Sequence, residues 1–219
     1  MKKTPILIMM VLLCTSLAFS QNTGAGVISE ITGTVELKHA GSSDFIAAKP
    51  GDTVAQNTVV STGFKSSALI TIGSSVITVR PLTRLTLGEI TASSGTETIN
   101  VSLQTGRVRV DVNPPAGTRA NMTVQSPVAT ASVRGTSFEF DTQTVTVLNG
   151  TVAFQGSSGK PKMVNAGSVS QVTDNGRATD PAETHAAELQ PRALAGSETG
   201  FRRSVIPVKG EVSFTLIMN

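Results

Sequence analysis

The sequence predicts an all-β protein with a single domain built of short strands and hairpins. Charged residues make up only 15% of the 219 residues and aromatic residues 4%. Many segments alternate apolar and polar residues, which is typical of half-buried strands, and Gly-containing turns separate them. A chain of this length can bury a sizeable core. The expected architecture is a twisted sandwich or a rolled, solenoid-like sheet, with one short C-terminal helix.

The first twenty residues differ from the rest of the chain. Lys2 and Lys3 precede an apolar run, and small side chains at Ala18 and Ser20 suit a signal peptidase. This pattern predicts a signal peptide over residues 1–20, because the run is shorter than the roughly 20 residues that span a bilayer. We therefore expect export to the periplasm or the extracellular space. A lipoprotein modified at Cys14 is the second interpretation. It ranks second because the lipoprotein motif requires a small residue before the cysteine, and Leu13 is large.

Cleavage would remove two lysines, so 18 − 2 = 16 basic residues would face 15 acidic residues, a net charge of +1. Such a surface attracts nucleic acid and anionic lipid weakly. Without Trp or Tyr the chain also lacks stacking platforms for single-stranded nucleic acid. We expect no nucleic-acid partner, no disulfide framework and no transmembrane segment after cleavage.

Residues 21–175 carry the strand pattern. SSALITIGSSVITVR (66–80) predicts a hairpin with a type II′ turn at Gly73-Ser74. GRVRVDV (106–112) predicts a strand with its three valines on one face and Arg107, Arg109 and Asp111 on the other. Further strands are expected at 84–90 and 97–103.

The segment 136–155 predicts a three-strand meander closed by a type I′ turn at Asn149-Gly150. The stretch SVRGTSFEF (132–140) overlaps the start of this meander. Val133 has an odd number and Phe138 an even one, so both can face the core only if the inward–outward alternation shifts by one residue between them. Gly135 is where such a slip costs least. We therefore expect a bulge or a sharp bend at Arg134-Gly135.

A short pattern of Gly, any residue, Val, any residue and a large apolar residue occurs four times. The copies are GTVEL (33–37), GRVRV (106–110), GTVAF (150–154) and GEVSF (210–214). Their spacing is irregular, so they are not a solenoid repeat. We interpret the glycine as the start of a strand after a tight turn, with the two apolar residues facing the core.

The C-terminal part predicts a short helix and linker at 176–203 and a strand or tail at 204–219. Asp180 is a candidate N-cap before Pro181, and Pro191 would end the helix. Four apolar residues alternate in the last segment: Val212, Phe214, Leu216 and Met218. This strand could pair with an edge of the main domain or with another chain, because an unpaired edge is a template.

No catalytic, metal or cofactor site is predicted. His39 and His185 lie in different segments without ligand spacing, and no nucleophile elbow occurs. Glu139 and Asp141 share the outward face of one strand, where a solvated pair is the simpler reading. We expect no enzymatic activity.

A basic strip of Arg107, Arg109 and Arg134 is one interpretation of the arginines on these strands. The other is a solvent-exposed face whose arginines are balanced by Asp111 and Glu139 on neighbouring strands.

Three stretches together resemble the FecR domain: VVSTGFKSSALITIGSSVITVRPLTRLTL (59–87), SLQTGRVRVDV (102–112) and VQSPVATASVRGTSFEFDTQTVTVLNGTVAF (124–154). The residues that carry the last element are Arg134, Gly135, Thr136, Phe138, Asn149 and Gly150. Gly73-Ser74-Ser75 stands where the family often has Asp-Gly-Ser. The resemblance implies an all-β, exported domain used for protein contacts.

The best-known FecR proteins are membrane-spanning regulators of extracytoplasmic-function sigma factors. No cytoplasmic segment precedes the apolar run here, so direct sigma-factor control is not expected. We expect a non-enzymatic FecR-domain protein that binds a partner in the cell envelope as a protein-interaction or signalling module, with β-augmentation as the natural mode. The alternative is a ligand- or glycan-binding or structural envelope β domain.

Overall fold

The computed structural model describes residues 24–93 and 95–182, which form seventeen β-strands. In chain order these are β1 (Gly26–Thr32), β2 (Val35–Lys38), β3 (Ile46–Ala47), β4 (Thr53–Val54), β5 (Val59–Thr62), β6 (Ser67–Ile72), β7 (Ser75–Val79), β8 (Arg84–Ser93), β9 (Thr96–Thr105), β10 (Arg107–Val112), β11 (Arg119–Gln125), β12 (Ala129–Val133), β13 (Ser137–Asp141), β14 (Thr144–Asn149), β15 (Thr151–Gly156), β16 (Lys162–Asn165) and β17 (Val169–Gln171).

The strands form two sheets. Sheet I has the order β17-β14-β13-β10-β7-β6-β1-β4, and sheet II has the order β16-β15-β12-β11-β9-β8-β5-β2-β3. Strand pairs are antiparallel except β9–β11, which is parallel. The chain crosses repeatedly between the sheets and advances along both from one edge to the other. The prediction of an all-β fold of short strands and hairpins is confirmed.

The core lies between the sheets, because alternate residues of nearly every strand point inward from both. Phe138, Phe140 and Phe154 are its largest buried side chains. The rings of Phe140 in sheet I and Phe154 in sheet II meet edge to face, with centroids 6.0 Å apart, a favoured arrangement of aromatic pairs. This ring contact therefore joins the two layers.

The predicted hairpin at 66–80 is β6–β7. Ile72 pairs with Ser75, which leaves Gly73-Ser74 as a two-residue turn. Gly73 has φ +51° and Ser74 is not among the residues with positive φ, as a type II′ turn requires. The strand at 106–112 is β10, with Val108, Val110 and Val112 buried as expected.

The predicted meander over 136–155 is wrong in its second half. β13 and β14 pair in sheet I, but β15 lies in sheet II between β12 and β16. Asn149-Gly150 is therefore a crossing between sheets and not a hairpin turn. Gly150 has φ +81°, while Asn149 is not among the residues with positive φ, so the type I′ conformation is absent. An Asn-Gly pair specifies a local backbone reversal, but the sheet that the next strand joins depends on nonlocal packing.

The glycine of each described copy of the Gly-x-Val motif stands where the chain changes sheet. Gly33 separates β1 from β2, Gly106 separates β9 from β10, and Gly150 separates β14 from β15. Their φ angles are +71°, +89° and +81°, a region that glycine enters without a steric cost. The valine and the large apolar residue that follow are buried in every case. The copy at 210–214 lies outside the described residues.

The predicted signal peptide (1–20) and most of the predicted C-terminal helix also lie outside the described residues. The helix begins at Pro181, and Asp180 Oδ1 accepts a hydrogen bond from Ala182 N at 3.3 Å, as its N-cap role predicts. Within residues 24–93 and 95–182, the structure contains no helix of the length and hydropathy needed to cross a membrane.

Candidate interaction surface

The Arg134-Gly135-Thr136 element forms the crossing from β12 in sheet II to β13 in sheet I. Gly135 has φ +71°, and both flanking strands send their alternate residues into the same core. Of the two predicted forms, the structure contains the sharp bend. A bulge within one strand would keep β12 and β13 in the same sheet, but they lie in different sheets. Arg134 is exposed and Thr136 is buried.

The other residues of the family motif lie around this crossing or in the core. Phe138 is fully buried. Gly150 packs against Thr136, which places the crossing from β14 to β15 beside the crossing from β12 to β13. The motif therefore builds the junction between sheets, and Arg134, Gly135, Thr136 and Gly150 together line a cleft of about 690 Å³ there.

The three arginines of the proposed basic strip do not come together. Arg107 and Arg109 lie on β10 at the outer face of sheet I, while Arg134 lies in the crossing that joins β12 to β13. Arg107 pairs with Asp141 at 3.3 Å, and Arg109 pairs with Asp111 of its own strand at 3.1 Å. The alternative reading, a charge-balanced face, is the one that the structure supports.

Glu139 and Asp141 share this outer face of sheet I, and an arginine pairs with each of them. Glu139 accepts a hydrogen bond from Arg80 at 2.7 Å, so its partner is not one of the arginines of β10. Burial raises the pKa of Asp111, but hydrogen bonds from Arg109 and Ser137 and the charge of Arg109 outweigh it and hold that pKa below its ordinary value. Each of the three carboxylates is therefore paired with an arginine.

In the described part of the chain, no group of three His, Cys, Asp or Glu side chains is placed to hold a metal ion. His39 is exposed and directly follows β2. His185 lies outside the described residues.

The feature that the sequence did not predict is a pair of exposed apolar side chains on adjacent loops. Phe64, between β5 and β6, is 73% exposed, and Leu82, between β7 and β8, is 60% exposed. Leu82 N donates a hydrogen bond to Gly63 O at 3.2 Å, which holds the two loops together. We call Phe64, Lys65 and Leu82 the Phe64–Leu82 surface.

The hydroxyl groups of two buried threonines hold the Leu82 loop by hydrogen bonds to backbone atoms. Thr62 Oγ1 donates to Arg80 O at 2.6 Å and accepts from Thr83 N at 3.0 Å. Thr83 Oγ1 donates to Arg107 O at 3.1 Å and accepts from Arg107 N at 3.0 Å. The loop is thereby hydrogen-bonded to both β5 and β10, and these bonds fix the backbone around Leu82.

The Phe64 loop is held in the same way. Ser66 Oγ donates to Phe64 O at 3.1 Å and accepts from Thr34 N at 2.8 Å. Gly63 N donates to Thr34 O at 2.9 Å. These bonds tie the loop to the crossing that joins β1 to β2, and the phenyl ring remains in solvent.

Backbone strain coincides with this surface. Lys65 and Leu82 have φ +53° and +55°, and Asn57 is the other non-glycine residue with positive φ in the described part. A large side chain rarely adopts this region, and each such residue costs on the order of 1–3 kcal/mol. The surrounding hydrogen bonds maintain a conformation that presents an apolar side chain to water.

A cleft of about 510 Å³ lies beside Leu82, and its other lining residues include two ion pairs, Arg80–Glu139 and Arg107–Asp141. Lys65 Nζ lies 5.6 Å from the centre of the Phe64 ring. An apolar pair with a rim of charged groups resembles the anatomy of a protein contact patch. A sequence signal did exist, because Phe64 and Leu82 are bulky apolar residues flanked by turn residues, outside any alternating run.

Residues 58–153 match the model of the family described as FecR protein. The resemblance inferred from the three sequence stretches is therefore confirmed: this segment is a FecR domain. The matched residues include all three residues of the Phe64–Leu82 surface and the Arg134-Gly135-Thr136 crossing. The chain matches no curated protein.

Two crystal structures, both described as a "putative anti-sigma factor" from Parabacteroides distasonis ATCC 8503, are similar to this chain at 16% identity and a TM-score of 0.45. The first alignment covers 59% of this chain and 64% of that one, and the second covers 58% and 62%. The chain thus spans less than two thirds of the length of those structures.

Proposed function

We propose that this protein is an exported, non-enzymatic FecR-domain protein that binds a protein partner in the cell envelope, in a signalling role, through the Phe64–Leu82 surface. The observation that carries the proposal is the exposure of Phe64 and Leu82, at 73% and 60%, on loops fixed by buried hydrogen bonds. Exposing such side chains is unfavourable in water, so a partner that covers them would gain stability.

Rigidity supports a binding role for this surface. Side chains on preorganised loops lose little conformational entropy when a partner covers them. Aromatic anchors are enriched among the residues that dominate binding energies, and Phe64 is the most exposed large apolar residue of the described part. The strain at Leu82 supports the same role, since strained backbone clusters at functional sites.

Export is the second part of the proposal and depends on the sequence of residues 1–20, with two lysines, an apolar run and small residues before Gln21. Secretion into the medium or retention in the periplasm would both fit. N-terminal sequencing of the mature protein tests this part, and the expected first residue is Gln21. A chain that retains Met1 and fractionates with the cytoplasm would contradict export.

Substitution tests the surface. Phe64→Asp with Leu82→Asp should abolish recovery of the partner from envelope extracts, because two charges would be buried in an apolar contact. Leu148→Asp is the matched control, since Leu148 is 45% exposed and lies on β14, outside the Phe64–Leu82 surface. Equal recovery by the double variant and the control would contradict the proposed surface.

Glycan or small-molecule binding is the alternative that the sequence left open. The described residues include two exposed phenylalanines: Phe64, and Phe45, which packs under Lys38 and Arg84 with the cations 5.8 and 5.5 Å from the ring centre. Phe45 therefore offers little stacking area to a sugar, which leaves Phe64 as the single open ring among the described residues. A thermal-shift screen over cell-wall fragments should therefore give no concentration-dependent rise in melting temperature.

A further inference from the structure

The cleft of about 690 Å³ beside the Arg134-Gly135-Thr136 crossing extends over the outer face of sheet II. Residues of four adjacent strands, β11, β12, β15 and β16, line it. Adjacent strands lie about 4.8 Å apart, so three spacings give the cleft a length of roughly 14 Å. Because extended chain covers about 3.3 Å per residue, this length accommodates about four residues of an extended peptide.

The middle of the cleft is lined by side chains of unequal size. Ser132, Ala153 and Met163 are paired neighbours on β12, β15 and β16. Ala153 is the smallest of the three, which leaves a depression in the sheet surface between the other two. Met163 is 61% exposed beside this depression. The β16 side of the cleft therefore offers an apolar contact to a bound segment.

Arg134 gives the cleft a positive charge. None of the described residues that line it is an Asp or Glu, and Arg134 makes no ion pair with any described residue. The forked N–H groups of a guanidinium match the two oxygens of a carboxylate. Asn121 lines the same cleft, and its amide group is a further donor. The polar part of the cleft therefore suits a single carboxylate.

Thr136 provides a second, independent observation. It lines the cleft and is 4% exposed, and its Oγ1 has no hydrogen-bond partner among the described residues. Buried hydroxyl groups in proteins are normally hydrogen-bonded, so an unpaired one calls for an explanation. A carboxylate has two acceptor oxygens, and its binding beside this hydroxyl would supply the partner that the chain does not.

We propose that this cleft binds an extended, acidic segment of a protein, with one Asp or Glu carboxylate on Arg134 and an apolar side chain against Met163. The site is distinct from the Phe64–Leu82 surface. Thr83 Oγ1 bonds to Arg107 at the start of β10, whereas Thr136 O accepts a hydrogen bond from Val112 N at its end, at 2.9 Å. The two surfaces thus lie at opposite ends of β10, and the inference does not depend on the proposed function.

Selection of a random hexapeptide display library on the immobilised full chain tests the proposal. The enriched peptides should contain an Asp or Glu next to an apolar residue, and Arg134→Gln should enrich none of them. Arg119→Gln is the matched control, because Arg119 is exposed on β11 outside the cleft. No enrichment of acidic peptides on the unmodified chain, or the same acidic peptides on Arg134→Gln, would overturn the proposal.

Fluorescence anisotropy with the most enriched peptide measures the contribution of the carboxylate. Replacing its acidic residue by the matching amide should weaken binding by about tenfold or more, since a charge-assisted hydrogen bond is lost. Ala153→Leu should weaken binding similarly by filling the depression, whereas Ser102→Leu, on β9 outside the cleft, should not. Equal affinity for the acidic and amide peptides, or displacement by free glutarate as effective as by unlabelled peptide, would contradict a site for an acidic protein segment.

Two further variants separate binding from folding and from the other surface. Thr136→Val should weaken peptide binding without lowering the melting temperature, because its hydroxyl has no partner within the described part. The double variant Phe64→Asp with Leu82→Asp should bind the peptide as the unmodified chain does. Loss of the peptide in the double variant would place it on the Phe64–Leu82 surface and overturn the proposal, as would unchanged binding by Thr136→Val.

Discussion

Gly150 and Thr136 touch where two crossings between the sheets pass each other. A Cβ atom at position 150 would stand 2.6 Å from Thr136 Cγ2 and 3.3 Å from Gly135 O. The Arg-Gly-Thr element and the Gly-x-Val element therefore fit together as one junction. This contact explains why residues 132–140 contain a Gly between strand-forming residues: the chain changes sheet there, and a second crossing packs against it.

Gly150→Ala should lower the free energy of unfolding by about 2 kcal/mol or more, since it adds steric overlap to a residue with positive φ. Gly41→Ala is the matched control, because Gly41 has φ +77° but no atom within 4 Å of an added Cβ. It should cost about 1 kcal/mol from the backbone alone. Urea unfolding of both variants measures the difference, and equal losses would show that the contact with Thr136 contributes nothing.

Thr62→Val should destabilise the domain by about 1–3 kcal/mol, because it removes the hydroxyl that bonds Arg80 O and Thr83 N under the Leu82 loop. Thr58→Val is the control, since Thr58 is 1% exposed and its Oγ1 has no hydrogen-bond partner in the described part. That variant should be neutral or more stable. A larger loss for Thr58→Val than for Thr62→Val in thermal unfolding would contradict the hydroxyl network.

Leu82→Gly should unfold at a higher temperature than Leu82→Ala. Both variants remove the exposed isobutyl group, but glycine also relieves the strain at φ +55°. The expected difference is about 1 kcal/mol in favour of glycine. Calorimetry of the two variants measures it. A more stable alanine variant would indicate that Leu82 does not hold the left-handed conformation in solution.

The Arg109–Asp111 pair should give stability that depends on acid pH. The pKa of Asp111 lies below its ordinary value in the folded protein, so the stabilisation is complete above the unfolded pKa of about 4. It is lost as the pH falls through the lower folded pKa. The difference in unfolding free energy between wild type and Asp111→Asn should therefore shrink below about pH 4. A difference that grows as the pH falls would mean that folding raises the pKa of Asp111, which contradicts the account.

The salt dependence of that pair follows from its position. The side chains of Arg109 and Asp111 are 40% and 25% exposed, and partly exposed ion pairs are screened by added salt. The difference between wild type and Asp111→Asn at neutral pH should accordingly decrease as NaCl is raised.

The strands of this fold were predictable because burial imposes period two along them. The valines of β10 and the β6–β7 hairpin follow from alternation and from one turn glycine. Residues 144–154 show where such reasoning fails. Asn149-Gly150 gives the same local signal whether the next strand pairs with β14 or crosses to sheet II, and only the packing of Gly150 against Thr136 distinguishes them.

The sequence marks Phe64 and Leu82 one by one, but it did not predict that they form one surface, and the reason is different. Phe64 and Leu82 are 18 positions apart in sequence, and neither belongs to an alternating run. They come together because Thr62, Thr83 and Gly63 join two loops by hydrogen bonds that have no sequence period. The sequence instead marked Arg134, Gly135 and Thr136 as family-motif residues at a predicted bend, and these residues build the fold.

Photo-crosslinking from the Phe64–Leu82 surface tests the central claim most directly. A photoreactive residue at position 64 or at position 82, in the full chain expressed with residues 1–20, should yield the same discrete crosslinked protein in the cell envelope. The same residue at position 148 should yield none of it. Absence of any crosslinked protein at 64 and 82, or an equal yield of the same protein at 148, would contradict the claim that this FecR-domain protein binds its partner through the Phe64–Leu82 surface.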